Sequence, residues 1–218
     1  MGYLFNERTL NIFTDASVKQ NKNGTFVASS AAIAVDINHI QNNYIIDSDY
    51  LVFNATNNLG ELYAVYLGVL LALKYRNRYD VINIISDSQF SIFSLSRWIW
   101  NWRNNINNGI YYNSSGSPVA NQDIIIKIVN LIISSNLNVN FYHQKGHALN
   151  QLKKSKETFF RSNGIMLDDF EANRISFYND FVDNFSRDKL IKNNKVLVSP
   201  LQYRADFNQE LYKNLINQ

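Results

Sequence analysis

Cysteine is absent from the chain, which excludes a disulfide framework, a thiolate metal site and a cysteine nucleophile. Any metal would therefore be held by oxygen or imidazole. Only 2 prolines and 8 glycines punctuate the 218 residues, and no proline-rich or serine-rich linker divides them. With 46% hydrophobic residues a single domain with additions can bury a sizeable core. No apolar run reaches the roughly 18 residues a membrane span needs, and MGYLFNERTL lacks the charged-then-apolar order of a secretory leader. A soluble, cytoplasmic protein without membrane association is expected. A dominant charge is missing as well. The 21 basic and 18 acidic residues, net +3, permit a polyanionic partner without requiring one.

What is present has a clear order. LNIFTD at residues 10–15 reads as a strand, and 25–37 and 43–53 are β-branched and aromatic runs around a polar turn at Asn38 and His39. They predict an antiparallel three-strand meander. Leu62, Val65, Tyr66, Val69, Leu70 and Leu73 recur at helical spacing, so a helix should run from Asn58 to about Tyr75. VINIIS, residues 81–86, predicts a buried parallel strand, followed by a helix through Phe90, Phe93 and Leu95. Trp98 to Val119 reads as an excursion, Asn121 as the cap of a helix through IIIKIVNLII, LNVNFYH as a strand, and 176–192 as the last helix. The succession predicts an α/β fold: a five-stranded mixed sheet with helices on both faces.

Four acids stand inside distinctive local frames: Asp15 in FTDAS, Glu61 in TNNLGE, Asp87 in SDSQ and Asp183 in NDFVDNFSR. Each has an ordinary alternative. Asn58 with Glu61 three residues later is a helix-start signature. Asp87 at a strand-to-helix junction suits a cap, Asp15 suits a strand end before a turn, and Asp183 suits a solvated helix face. Convergence of all four would be different in kind, because gathered carboxylates repel unless cations sit among them. In mixed sheets ligands lie beyond the carboxyl ends of strands, where Asp15 and Asp87 are expected.

As a set, the four frames together with KGH at 145–147 resemble the type 1 ribonuclease H family. The match spans about residues 10–190 and includes WIWNWR followed by GSPVANQD. The resemblance implies the ribonuclease H-like fold and endonucleolytic hydrolysis of the RNA strand of RNA–DNA hybrids by two Mg²⁺ ions, with Mn²⁺ as a substitute. It implies that Asp15 bridges the ions, that Asp183 completes one site, and that Glu61 and Asp87 complete the other. His147 would assist proton transfer or product release. Contacts to the hybrid are expected from Ser17, Asn21, Asn57, Asn58, Ser88 and Gln89, because amides and hydroxyls suit the 2′-hydroxyl. Trp98, Trp100 and Trp102 are expected to pack, and Arg97 and Arg103 to meet phosphates.

The chain departs from the family pattern at Ala16, where glycine is usual, and in a long insertion at about 149–175, read as an exposed segment of divided charge. The catalytic domain is expected to cover 1–192, with 193–218 as an amphipathic C-terminal helix opening on Ser-Pro-Leu-Gln. A monomer is expected, with the insertion or that helix available to a protein partner. Two other readings remain open: a junction resolvase or strand-transfer nuclease on the same fold, and a non-catalytic hybrid-binding module.

Overall fold

β-Branched and aromatic runs near the N-terminus pair as an antiparallel meander of β1 (Thr9–Gln20), β2 (Phe26–Val35) and β3 (Asp47–Asn54). The structure, a computed structural model, describes residues 4–36, 45–146 and 151–192. The Asn38–His39 turn and the C-terminal segment 193–218 lie outside the described residues. Helix α1 (Asn57–Tyr75) follows, then β4 (Val81–Ser86). Next, α2 (Gln89–Phe93) passes through a π-helical stretch at Ser94–Trp98 into α3 (Ile99–Trp102). A small hairpin, β5 (Ile106–Asn107) and β6 (Ile110–Tyr111), precedes α4 (Gln122–Ser134) and β7 (Val139–His143). The described chain closes with α5 (Leu152–Asn163) and α6 (Asp169–Lys192).

The main sheet has five strands in the order β3-β2-β1-β4-β7. β1 runs antiparallel to β2 and parallel to β4, and β4 runs parallel to β7. Alternation along the strands supplies both cores. Ile12 and Ile84 point to one face, with α1 and α4, while Phe13 and Ile85 point to the other, with α5 and α6. Every residue of α1 from Gly60 to Leu73 is buried, because the helix lies between the sheet and α4. Among the described residues no helix is long and apolar enough to cross a membrane.

An asparagine ladder pins the register of the three parallel strands β1, β4 and β7. Asn140 donates to Asn83 at 3.1 Å, Asn83 donates to Asn11 at 3.0 Å, and Asn11 donates to the Leu4 carbonyl at 3.1 Å. The residues are register partners across β7, β4 and β1, with Asn11 and Asn83 buried. Slipping one strand would leave buried amides unpaired, which costs about 1–3 kcal/mol for each group.

Several expectations are corrected. β1 continues five residues past Asp15, because its pairing with β2 runs on to Gln20↔Phe26. Asn121 occupies the position before α4 but in a left-handed conformation, with no capping bond from its side chain. The last helix begins at Asp169, not near 176, and starts in a reciprocal cap: Glu171 N–H donates to Asp168 Oδ1 at 2.8 Å, and Asp168 N–H donates to Glu171 Oε2 at 3.3 Å. Most important, the insertion is docked rather than an exposed excursion. Phe159 and Leu167 are buried in the second core beside Ala172 of α6. Urea denaturation checks this: Phe159→Ala should lose about 3–5 kcal/mol, whereas a surface excursion would lose less than about 0.5 kcal/mol.

Candidate active site

β1 and β4 keep parallel register only as far as Thr14↔Ser86, and the next residue on each is an acid, Asp15 and Asp87. Where β4 stops, the sheet opens beside Asp15, which is 6% exposed and pairs on its other side with Ala31 of β2. Glu61 arrives from above. Helix α1 lies so close to the sheet that a Cβ on Gly60 would sit 3.0 Å from Ala28 and 3.2 Å from Ala16, and one on Gly68 would sit 3.0 Å from Thr14. Ser30 Oγ donates to the Gly60 carbonyl at 2.6 Å and holds the approach. One oxygen each from Asp15, Glu61 and Asp87 lie within 4.8 Å of one another.

The ordinary alternatives for these acids do not describe what the side chains do. Helix α1 is preceded by Thr56 without a side-chain cap, and Glu61 points into the cluster, where its buried Oε2 has no hydrogen-bond partner among the described residues. The cap of α2 is Ser88, not Asp87: Ser88 Oγ accepts from Ser91 N–H at 3.3 Å. Asp183 approaches from α6. Its side chain is 20% exposed, and Arg187 Nη2 donates to both its oxygens at 2.8 and 2.7 Å. Asp183 stands near enough to raise the Asp15 pKa by repulsion, but it is not part of the three-oxygen group. Ser186, one turn further on, lies 3.4 Å from Asp15 Oδ2 and 2.8 Å from Ser17 Oγ, tying α6 to β1.

The electrostatic consequence is strong. Burial, then repulsion from Asp87 and Asp183, pushes the Asp15 carboxyl from its usual 3.8 up to about 7. Burial, then repulsion from Asp15 and Asp87, raises Glu61 well above the ordinary glutamate range. The Ala16 amide offsets part of each shift. An all-oxygen donor set with an unpartnered buried carboxylate oxygen fits a hard divalent cation such as Mg²⁺.

The other expected residues divide. Ser17 is half-buried and engaged by Ser186, and Ser88 is spent as a cap, so the structure gives both local partners within the protein. Asn21 sits in the β1–β2 turn, bonded to Thr25 at 3.2 Å, while Asn57, Asn58 and Gln89 are exposed at helix starts beside the acids. His147 lies outside the described residues. Its neighbour Gly146 rests on the cluster: a Cβ there would be 2.5 Å from Asp87 Oδ2, so a side chain at that point would displace the Asp87 carboxylate.

His143, outside every frame that singles out the acids, braces the Asp87 turn. Its Nε2 lies 3.2 Å from the Asp87 carbonyl and its Nδ1 lies 3.1 Å from Ser162 Oγ. A carbonyl only accepts, so Nε2 carries the proton and Nδ1 accepts from the serine. Burial lowers the His143 pKa, consistent with that neutral form. No local motif signals this contact, because its three partners are brought together only by the fold. Arg97 is exposed and donates to the Ser162 carbonyl at 2.6 Å. The expected packing holds for Trp98 and Trp102, since Trp98 lies against Phe90, Phe93 and Trp102, but not for Trp100, which is 50% exposed with Arg103 over its ring.

The family model for RNase H matches residues 7–157. The chain belongs to the ribonuclease H family. Ribonuclease H of Haemophilus influenzae (strain 86-028NP) is 31% identical over 142 residues, 65% of this chain and 80% of that protein. Ribonuclease H of Tropheryma whipplei (strain Twist) is 35% identical over 102 residues, 46% of this chain, which thus spans 59% of that relative. The solution structure of the PFV RNase H domain superimposes with a TM-score of 0.53 at 17% identity, covering 79% of this chain and 94% of that one. The family match ends inside α5, so Asp183 lies beyond it and is placed by geometry alone.

A raised carboxyl has a sign. Between about pH 4 and about 7 the folded, metal-free protein holds a proton on Asp15 that the unfolded chain has released, so stability falls as pH rises through that window. Melting temperatures without divalent ions should therefore fall from pH 5 to pH 8, and fall less in Asp15→Asn. Mg²⁺ should raise the melting temperature more at pH 8 than at pH 5. Identical pH slopes for wild type and Asp15→Asn would contradict the shift.

Proposed function

We propose that this chain is an endonuclease hydrolysing the RNA strand of RNA–DNA hybrids, with Asp15, Glu61, Asp87 and Asp183 as its catalytic acids. The observation that carries the reading is the grouping of three carboxylate oxygens within 4.8 Å, one of them unpartnered and buried, on the sheet of a ribonuclease H family member. Asp15, Glu61 and Asp87 would hold divalent cations, two Mg²⁺ with Mn²⁺ as substitute. Asp183 would join them once its carboxylate leaves Arg187. When bound, those ions supply Lewis-acid polarisation of the scissile phosphate and acidify the attacking water.

The chain's own groups do the rest. Ser186 orients Asp15 Oδ2 from the α6 side, and the Gly60 and Gly68 contacts hold Glu61 in place. His147, next in sequence to Gly146, would assist proton transfer or product release. Asn57, Asn58 and Gln89, exposed next to the acids, would read the RNA 2′-hydroxyls, and Asn21 would meet the strand at the β1–β2 turn.

Hybrid cleavage with titrated Mg²⁺ and Mn²⁺ tests the proposal. Asp15→Asn should keep the circular dichroism spectrum and lose about 1,000-fold in rate, equivalent to about 4 kcal/mol of barrier. A panel of hybrid, duplex RNA, duplex DNA and four-way junction should show cleavage of the hybrid first. Equal rates on duplex DNA, or an active Asp15→Asn, would overturn it.

A further inference from the structure

We propose that the insertion helix α5 is a phosphate-gripping arm that holds the sugar–phosphate backbone of the bound nucleic acid in a basic groove beside the acid cluster. The inference rests on the hydrolase reading only for which strands enter. A groove of about 790 Å³ is lined by Lys145, Lys153, Lys154 and Arg161, with Thr158 and a single acid, Glu157. All four cations are exposed, and none makes an ion pair among the described residues. Lys145 adjoins Gly146, which lies against Asp87, so the groove begins next to the catalytic acids.

The helix has two faces with separate tasks. Ser155, Phe159 and Ser162 recur at helical spacing and face inward: Gln144 donates to Ser155 Oγ at 2.9 Å, Phe159 is fully buried, and Ser162 meets His143. Asn163 locks the helix end, accepting from His143 N–H at 3.0 Å and donating to the His143 carbonyl at 2.8 Å. Lys153, Lys154 and Arg161 lie on the other face, exposed. Lys153 to Arg161 spans about 12 Å of helix, the rise of roughly three to four nucleotides of one strand. Because the inner face is pinned to the sheet, these charges are pre-positioned relative to Asp87, which lowers the ordering cost of binding.

Two cations outside the groove already have aromatic partners. Arg97 is occupied with Ser162 and lies 4.2 Å over the Phe93 ring, and Lys127 lies 4.9 Å over the Tyr66 ring. Phosphate neutralisation dominates nucleic-acid affinity, and α5 supplies three exposed cations without ion-pair partners among the described residues. An arrangement of unpaired, exposed cations facing one carboxylate matches a regularly charged polyanion better than an acidic protein, whose side chains would have to be matched one by one.

The test is equilibrium binding of a fluorescent RNA–DNA hybrid in EDTA across 50–300 mM KCl, with and without the combined Lys153→Ala, Lys154→Ala and Arg161→Ala changes. Alanine preserves helix propensity. The triple variant should bind roughly 10-fold more weakly, with a slope of log affinity against log salt shallower by about 2–3. The charge-keeping set Lys153→Arg, Lys154→Arg and Arg161→Lys should retain the wild-type slope, and Arg8→Ala, at the opposite end of the sheet, should too. In Mg²⁺ the triple variant should raise KM and leave kcat unchanged. An unchanged slope with wild-type cleavage intact would overturn the arm alone and leave the surface to an acidic protein. A charge-dependent slope in a protein that never cleaves hybrid would sustain the arm while sinking the hydrolase.

Discussion

Three carboxylates share so small a space only because the helix carrying one of them lies almost on the strand carrying another. At ordinary helix-to-sheet separation Glu61 would stand back from Asp15, and each acid would titrate as a surface group. Absence of side chains at Gly60 and Gly68, with Ala16 and Ala28 beneath, removes that separation. The outcome is electrostatically unfavourable for the bare chain, and that is the condition under which cations bind well: the protein's repulsion becomes part of the affinity. The usual family glycine at position 16 is not required, since Ala16 already forms the floor on which α1 rests.

The insertion turns the family sheet into something more tightly connected. In place of a short link into the last helix, α5 packs Phe159 into the second core and reaches the edge strand through Ser162 and Asn163. His143 then carries that contact to the backbone of Asp87. On the other side Glu171, bound to Leu4 N–H at 2.7 Å, ties the start of α6 to the chain's N-terminal segment, which in turn ends the asparagine ladder. Segments distant in sequence thus brace the sheet at two places, the Asp87 turn and the asparagine ladder.

How much of this could be read in advance depended on whether the signal was local. α1 and the β4 strand are contiguous patterns whose placement follows from spacing, whereas the acid frames point to a shared site through their resemblance to the ribonuclease H family. Whether Glu61 was a cap or a site residue did not follow from spacing, because Asn58-x-x-Glu61 satisfies both readings and only the helix start at Thr56 separates them. The extent of β1 was hidden because its end is set by pairing with β2, not by its own residues. The insertion was misjudged for a subtler reason. Its few inward residues, Leu152, Ser155, Phe159 and Ser162, do keep helical spacing, but they are diluted among charges, and the helix start Asp168-x-x-Glu171 lies within the same run of divided charge. His143 and the ladder formed by Asn11, Asn83 and Asn140 have no local signature at all.

The clasp between Asn163 and His143 has a wider meaning. β7 borders the sheet, so its outward amide and carbonyl are the sort of groups onto which another extended chain can zip. An amide side chain that both donates to and accepts from one residue imitates a neighbouring strand for a single rung. The same helix that presents cations outward therefore also plugs the rim of the sheet, guarding the molecule against stacking end over end with its own kind.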